Sequence, residues 1–182
     1  MSTNEQVRRI RVCYYPEAHN ARHQLRRRLA ALVSLLMSQD AATGNRMNDL
    51  EALMWTLDKD PYLSSTIGNI TVLDQPPDLE RLRERLGGAA AAIPRLRQRV
   101  APGIGRLAPP EWRVDPDFDL GYHVRSLALP SPGTWEQLCE LAVELIVRPF
   151  DRSRPLWEFT VVDGLEDGRA ALIQKMHHTI TD

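Results

Sequence analysis

Apolar positions along the chain recur at helical spacing in some segments and in strand-like patterns in others. Helical spacing, with apolar residues three or four positions apart, occurs in segments 47–57, 78–99 and 135–147. Runs rich in β-branched or apolar residues predict strands over 66–73, 120–129, 156–162 and 169–176. Pro94 predicts a kink or a restart in the second helix, and Thr134 is the predicted N-cap of the third. Alternating helices and strands that end in a hairpin predict an α/β (α+β) fold, in which helices flank a mixed β-sheet.

The first 45 residues differ from the rest of the chain in charge. They carry seven arginines against three acidic residues, a net charge of +4, although the whole chain has a net charge of −1. Apolar residues between positions 21 and 38 predict an amphipathic helix through Leu25, Leu29, Leu32, Val33 and Leu36. Residues 1–45 are therefore predicted to form a basic N-terminal extension, and residues 46–182 a separate domain. The helix suits either docking on the domain or a partner chain, or attraction to anionic lipid headgroups.

The composition narrows the class of protein further. With 182 residues, 43% hydrophobic and 26% charged, the chain has the composition of a globular protein. A net charge of −1 provides no overall field for binding nucleic acid. No apolar run approaches the roughly 20 residues of a membrane span, and the polar N-terminus does not resemble a secretory signal. Cys13 and Cys139 have no metal-ligand or disulfide spacing, which predicts a reduced, cytoplasmic setting.

Two adjacent histidines follow the last predicted strand. They are His177 and His178, and Asp182 lies four residues beyond the second. Neighbouring side chains on an extended backbone point to opposite sides, so only one of the two histidines faces a given cleft. An imidazole titrates near neutrality and can take a proton from a hydroxyl group. Spacing alone leaves open ordinary loop histidines, a general base or a metal site, although adjacent histidines do not readily chelate one ion.

The motifs around these histidines resemble those of a known family. The last six residues, His-His-Thr-Ile-Thr-Asp, resemble the HHxxxDG motif of CoA-dependent acyltransferases. Pro155, Leu156 and Trp157 match the PLW motif of the bacterial wax ester synthase/diacylglycerol acyltransferase family, and they stand about twenty residues before the histidines, as in that family. Similar stretches run from about residue 46 to residue 182. The resemblance implies one half of a two-domain acyltransferase with a chloramphenicol-acetyltransferase-like fold.

The resemblance also implies roles for individual residues. His178 matches the general base, which would deprotonate a hydroxyl of diacylglycerol or of a long-chain alcohol so that the oxygen attacks the acyl-CoA thioester. His177 and Asp182 would support the motif loop, and the Pro155–Trp157 segment would be a packing element that shapes the site. His123, in another similar stretch, is interpreted as structural. The family mechanism implies no metal and no cofactor, because acyl-CoA is a substrate.

Several expectations follow from the length of the chain. The glycine of the motif and the second half of the family's proteins have no counterpart in the 182 residues. We therefore expect a missing C-terminal half, and little acyl transfer by residues 1–182 alone. The alternative hypothesis is a truncated, non-catalytic remnant that at most binds lipid or a partner chain. The last strand is expected to lack some neighbours and to expose a sheet edge. Through its basic extension, the chain is also predicted to associate peripherally with the inner membrane face or a lipid-droplet surface.

Overall fold

The computed structural model describes residues 45–103 and 108–180. The predicted amphipathic helix at 21–38, almost all of the 1–45 extension, and Asp182 lie outside the described residues. The helices are α1 (Asp49–Leu57), α2 (Leu79–Ala92), α3 (Leu120–His123) and α4 (Trp135–Val147). The strands are β1 (Thr66–Leu73), β2 (Gln98–Ala101), β3 (Glu111–Val114), β4 (Val124–Ala128), β5 (Trp157–Asp163) and β6 (Ala170–His177). Short 3-10 turns cover Pro61–Leu63, Pro94–Arg97, Glu166–Gly168 and His178–Ile180.

The ends of the helices are fixed by the side chains that the sequence offers. Asn48 caps α1 and Thr134 caps α4, and in both helices the third residue, Glu51 or Gln137, completes a capping box. Asp78 caps α2 by accepting the Arg81 backbone N–H. Each cap satisfies backbone donors that would otherwise lack a partner, an effect that typically stabilises a helix by about 1 kcal/mol.

Two predicted elements had wrong boundaries and strand β3 was not predicted, each for a local reason. The predicted helix at 78–99 ends at Ala92, because Pro94 begins a 3-10 turn and residues 98–101 continue as strand β2. Strand β3 follows a stretch of sequence rich in proline and glycine, and its four residues carry too little pattern to be predicted. The predicted strand at 120–129 begins with one helical turn, α3, because Asp119 accepts the Gly121 backbone N–H and starts a turn there.

The main sheet has four strands in the order β1-β6-β5-β4. Strand β6 is antiparallel to both of its neighbours, and β4 is parallel to β5, so the sheet is mixed as predicted. The expectation that the last strand would expose a sheet edge was wrong. Strand β6 is central, because it pairs with β5 on one side and, along its whole length, with β1 on the other. The strand that carries the histidines is therefore held on both sides.

Buried side chains cover both faces of this sheet. Leu172 points into a cluster under α2 that also includes Leu82, Leu86 and Trp157. Ile173, the next residue of β6, points into a second cluster under α4. This alternation is the period-two pattern of a strand buried on both faces. Among the described residues, no helix has the length and apolar character needed to cross a membrane.

Candidate active site

The two histidines end β6 and begin the 3-10 turn His178–Ile180, here called the histidine turn. Their environments are opposite. His177 is completely buried, whereas the side chain of His178 is exposed. The sequence predicted that only one of the two would face a given cleft. Of the pair, the structure leaves His178 open to incoming molecules.

The ring of His177 is fixed through one nitrogen. The Thr179 backbone N–H donates to His177 Nδ1 at 3.2 Å, and the Thr179 hydroxyl lies 2.8 Å from the same atom. Since Nδ1 accepts from a backbone donor, the neutral ring carries its proton on Nε2. The rings of Trp55 and Phe150 stand edge-on to the imidazole, each with a centroid separation of 6.4 Å. His177 therefore acts as the packed anchor of the histidine turn.

The loop after α1 binds the histidine turn through its backbone. The backbone N–H of His178 donates to the Ser65 carbonyl at 2.9 Å. The backbone N–H of Ser65 in turn donates to Asp58 Oδ1 at 3.0 Å. The same Asp58 oxygen lies 3.7 Å from His177 Nε2. Asp58 thus faces both neighbours of the exposed imidazole, the buried ring before it and the backbone partner beside it.

The charge of Asp58 is favoured by its surroundings. Burial by itself would raise the pKa of this carboxyl group, but the interactions with the His177 ring and the Ser65 N–H outweigh it, and the net pKa lies below the ordinary value. The guanidinium of Arg152 lies 3.3 Å from the centroid of the Trp55 ring and donates to the Trp55 carbonyl at 2.8 Å. This arginine therefore places a positive charge beside the C-terminal end of α1.

The Pro155–Trp157 segment is buried and supports the histidines through its backbone. The Leu156 carbonyl accepts the His177 backbone N–H at 3.0 Å. The Trp157 indole N–H donates to the Leu96 carbonyl at 2.8 Å, which ties β5 to the turn before β2. All three residues of the segment are buried. Their positions suit the predicted packing element, although the role itself remains a prediction.

His123 lies inside the domain rather than at the exposed histidine. Its ring is fully buried and stacks on Trp157 at 4.5 Å and on Phe118 at 5.2 Å between centroids. Its Nδ1 lies 2.6 Å from the Trp157 carbonyl, and since a carbonyl only accepts, the nitrogen donates. Burial lowers the pKa of His123, with a smaller opposing contribution from this hydrogen bond. These contacts suit the structural role interpreted from the sequence, and that role remains a prediction.

A second buried charge lies two residues before His177. Lys175 is 2% exposed, and its ammonium group donates to the Arg148 carbonyl at 2.6 Å. It lies 3.8 Å from Glu158 Oε1, which belongs to a residue that also pairs with Arg125. Burial lowers the pKa of Lys175, while Glu158 raises it to a smaller extent. The ammonium also stands 4.1 Å from the centroid of Phe150, the ring that contacts His177.

Sequence reasoning missed the residues that surround the histidines from distant parts of the chain. Trp55, Asp58 and Phe150 carry no motif, and nothing in their spacing connects them to position 177. Lys175 alone left a signal, because it is a charged residue in a strand whose other residues, apart from Gln174 and His177, are apolar. Within residues 45–103 and 108–180, no group of three His, Cys, Asp or Glu side chains is arranged to hold a metal ion.

The sheet with helices on both faces is shared with acyltransferases and condensation domains. The first condensation domain of the CDA synthetase matches 76% of this chain with a TM-score of 0.60, at 15% sequence identity, which indicates the fold alone. The wax ester synthase/diacylglycerol acyltransferase of Marinobacter aquaeolei VT8 matches 75% of the chain with a TM-score of 0.62, at 30% identity.

Within this class, the sequence identifies one family. Residues 47–182 match the model of the wax ester synthase/diacylglycerol acyltransferase catalytic domain. The chain belongs to this family, as its motifs predicted. It is 40% identical over 140 residues to tgs1 of Mycobacterium tuberculosis, named as a probable diacylglycerol O-acyltransferase. The chain covers 30% of the length of tgs1 and 35% of the Marinobacter protein, so it corresponds to about a third of these relatives.

Proposed function

We propose that this chain provides the general-base half of an acyl-CoA-dependent O-acyltransferase of neutral-lipid synthesis. The observation that carries the proposal is the exposed imidazole of His178 on an anchored turn, within a segment that matches the family's catalytic domain. Acyl-CoA is the proposed donor. Diacylglycerol, giving triacylglycerol, and a long-chain alcohol, giving a wax ester, are the proposed acceptors.

In the proposed reaction, His178 takes the proton from the acceptor hydroxyl as its oxygen attacks the carbonyl carbon of the thioester. The carbon–sulfur bond then breaks and the CoA thiolate leaves. His178 passes the proton that it took from the hydroxyl to the sulfur. The products are the ester and free CoA. General-base assistance of this kind typically contributes about 10²–10⁴ in rate. The pathway needs an accessible imidazole, and the exposed His178 ring, on a residue whose backbone N–H donates to the Ser65 carbonyl, supports this role.

Exposed apolar side chains on α1 are a further observation that favours a lipid substrate. Leu50, Leu53 and Leu57 lie on one face of this helix and are 54%, 53% and 39% exposed. The same helix contacts the histidine turn. An apolar surface near the proposed base suits long-chain substrates, because contact between this surface and the substrate's hydrocarbon chain removes apolar area of both from water.

The test is a hybrid in which residues 1–182 are continued by the part of the Marinobacter protein that lies beyond its matching segment. With oleoyl-CoA as donor, and dioleoylglycerol or hexadecanol as acceptor, the hybrid is expected to form ester and release CoA thiol. The 182-residue chain alone is expected to show little turnover, since a half-cleft positions one substrate poorly and excludes little water.

His178→Ala in the hybrid is expected to lower kcat by about 10²–10⁴. His23→Ala is the matched control, because it removes a histidine outside the segment that matches the family. A folded native hybrid with no turnover on either acceptor would favour the non-catalytic alternative, a chain that binds lipid or a partner without chemistry. Full activity of His178→Ala would remove this residue as the base.

We also propose that residues 1–45, with their net charge of +4, draw the chain to anionic lipid at the inner membrane face or at a lipid-droplet surface. Sedimentation with vesicles of phosphatidylglycerol and phosphatidylcholine is expected to capture the full chain, and to capture less of it as salt rises. A chain that begins at residue 46 is expected to bind less. Equal binding of the two forms would contradict the proposal.

A further inference from the structure

The two ring nitrogens of His177, Nδ1 and Nε2, have different surroundings. Because Nδ1 accepts from Thr179, the proton of the neutral ring lies on Nε2. This N–H is fully buried, and the group that it faces is the carboxylate of Asp58, 3.7 Å away. An ångström of closure would turn this approach into a charge-assisted hydrogen bond, which is stronger than a bond between neutral groups.

Asp58 reaches the exposed histidine by a second route. Its Oδ1 accepts the Ser65 N–H, and the carbonyl of Ser65 accepts the His178 N–H. The carboxylate itself is well shielded, with 15% of its side chain exposed. One oxygen therefore faces the ring of the residue before His178 and binds the N–H of Ser65, the residue whose carbonyl holds His178.

We propose that Asp58 is a positioning residue for His178, acting through the His177 ring and the Ser65 backbone. The inference rests on the function proposed above and adds to it a residue that contacts neither substrate nor the reacting atoms. Asp58 sets the direction of the His178 backbone, and so the point at which its imidazole meets the acceptor hydroxyl. A misplacement of about 1 Å at such a point costs roughly 10² in rate.

The structural part of the proposal is tested on the full 182-residue chain by amide hydrogen exchange and by ¹⁵N NMR of the histidine rings. Asp58→Ala is expected to speed exchange of the His178 amide by at least about tenfold, since its acceptor is no longer held. It is also expected to shift the His177 Nε2 resonance. Asp60→Ala is the matched control, because Asp60 is an exposed carboxylate in the same loop that accepts the Tyr62 N–H. Unchanged exchange at His178 in Asp58→Ala overturns the proposal.

The catalytic part is tested in the hybrid protein. Asp58→Ala is expected to lower kcat by roughly 10², with KM nearly unchanged, because ground-state binding does not depend on the direction of the imidazole. Asp58→Asn keeps an oxygen in place and loses only the charge, so a smaller loss of kcat is expected. This variant carries the test if Asp58→Ala does not fold. Asp60→Asn is expected to retain native kcat.

The two proposals fail in different ways. An inactive native hybrid overturns the proposed function, and with it the catalytic role of Asp58. An active native hybrid whose Asp58→Ala and Asp58→Asn variants keep native kcat overturns this inference alone. A rise in KM with kcat unchanged also overturns it, because that pattern belongs to substrate binding rather than to the direction of a base.

Discussion

His177 and His178 are chemically identical and adjacent, yet the tertiary structure gives them different properties. The ring of His177 packs between Trp55, Phe150 and the Thr179 backbone. Among the described residues, His178 is held through its peptide group, and its ring is exposed. A buried ring that packs against its neighbours contributes to stability, while an exposed ring contributes little and is free for chemistry. The difference is measurable without any assay of activity.

We predict that His177→Ala lowers the free energy of unfolding by about 2–4 kcal/mol, because it leaves a cavity among aromatic rings and removes the acceptor of the Thr179 N–H. His178→Ala is expected to change it by less than about 0.5 kcal/mol. Urea unfolding of the three chains checks both values. Equal losses for the two variants would contradict the assignment of one buried and one exposed ring.

The same contrast predicts chemical reactivity. Diethyl pyrocarbonate modifies accessible neutral imidazoles, so His178 is expected to react in the folded chain, while His177 and His123, both fully buried, are protected. Peptide mass spectrometry locates the adducts. Unfolding in urea should make all three rings reactive, which controls for differences in intrinsic reactivity. Modification of His177 at the rate of His178 in the folded chain would be inconsistent with the structure.

His123 predicts a dependence of stability on pH. Its pKa in the folded chain lies below the ordinary 6.5, because burial disfavours the charged ring. Below pH 6.5 the unfolded chain therefore binds a proton that the folded chain does not, so stability falls as the pH drops towards the folded pKa. The native chain is expected to be less stable at about pH 5 than at about pH 8, the range in which histidine titrates.

His123→Phe separates this effect from other titrating groups, since the phenyl ring keeps the stacking but has no proton to bind. The variant lacks the hydrogen bond to the Trp157 carbonyl, and is expected to be less stable near pH 8 by about 1 kcal/mol. That deficit should shrink as the pH falls. A deficit that is constant or that grows in acid would show that His123 is not the group responsible.

At the scale of elements, the contact between α4 and β1 depends on a glycine. A methyl group added at Gly68 would lie 2.2 Å from Ile146 Cδ1 and 2.7 Å from its Cγ1. Ile146 is 4% exposed and belongs to the cluster under α4, so it has little room to move away. The absence of a side chain at position 68 is therefore what lets the last turn of α4 sit against the sheet.

We predict that Gly68→Ala lowers the free energy of unfolding by about 1–3 kcal/mol through overpacking. Gly88→Ala is the matched control, because the same methyl group at this position in α2 meets nothing within 4 Å. At this exposed helical position, the change is expected to stabilise the chain by about 0.4–1 kcal/mol. Thermal unfolding of both variants tests the opposite signs.

A double-mutant cycle identifies the partner of Gly68. Ile146→Ala alone is expected to cost about 2–5 kcal/mol, as a buried isoleucine is lost. Combined with Gly68→Ala, the cost should be smaller than the sum of the two, because the clash is gone and the new methyl group fills part of the cavity. Strict additivity would mean that Ile146 is not what position 68 contacts.

At the scale of the whole molecule, β6 couples the two clusters that cover the sheet. Leu172 and Ile173 are neighbours in sequence, each 1% exposed, and belong to opposite clusters. Since β6 pairs with β1 on one side and β5 on the other, neither cluster can loosen without disturbing the same central strand. This arrangement favours one cooperative unfolding transition for the described domain.

We therefore predict that Leu172→Ala and Ile173→Ala each cost about 2–5 kcal/mol and lower the midpoint of one shared transition. Tryptophan fluorescence reports chiefly on the cluster that holds Trp112 and Trp157, and far-UV circular dichroism reports on all elements. The two signals should coincide in both variants. Separate transitions, each displaced by only one substitution, would indicate two independent cores.

The family and most of the local structure follow from the sequence alone. Helix α4 and strand β1 were predicted at the observed ends, because capping residues and regular spacing act over a few neighbouring positions. The histidines and the PLW segment identified the family, because they are short motifs in which residue type and spacing carry the information. The isolated histidine turn, however, could be interpreted in three ways.

The identity of the buried histidine, of the central strand and of the side chains around the site follows from tertiary packing. Asp58 lies 119 positions before His177 in the chain, and no periodic pattern records a contact over that distance. Strand β1 covers an edge that local reasoning expected to be open, because strand pairing depends on the path of the whole chain. Local signals determine the longer elements, whereas the packing of distant segments determines which side chain remains exposed.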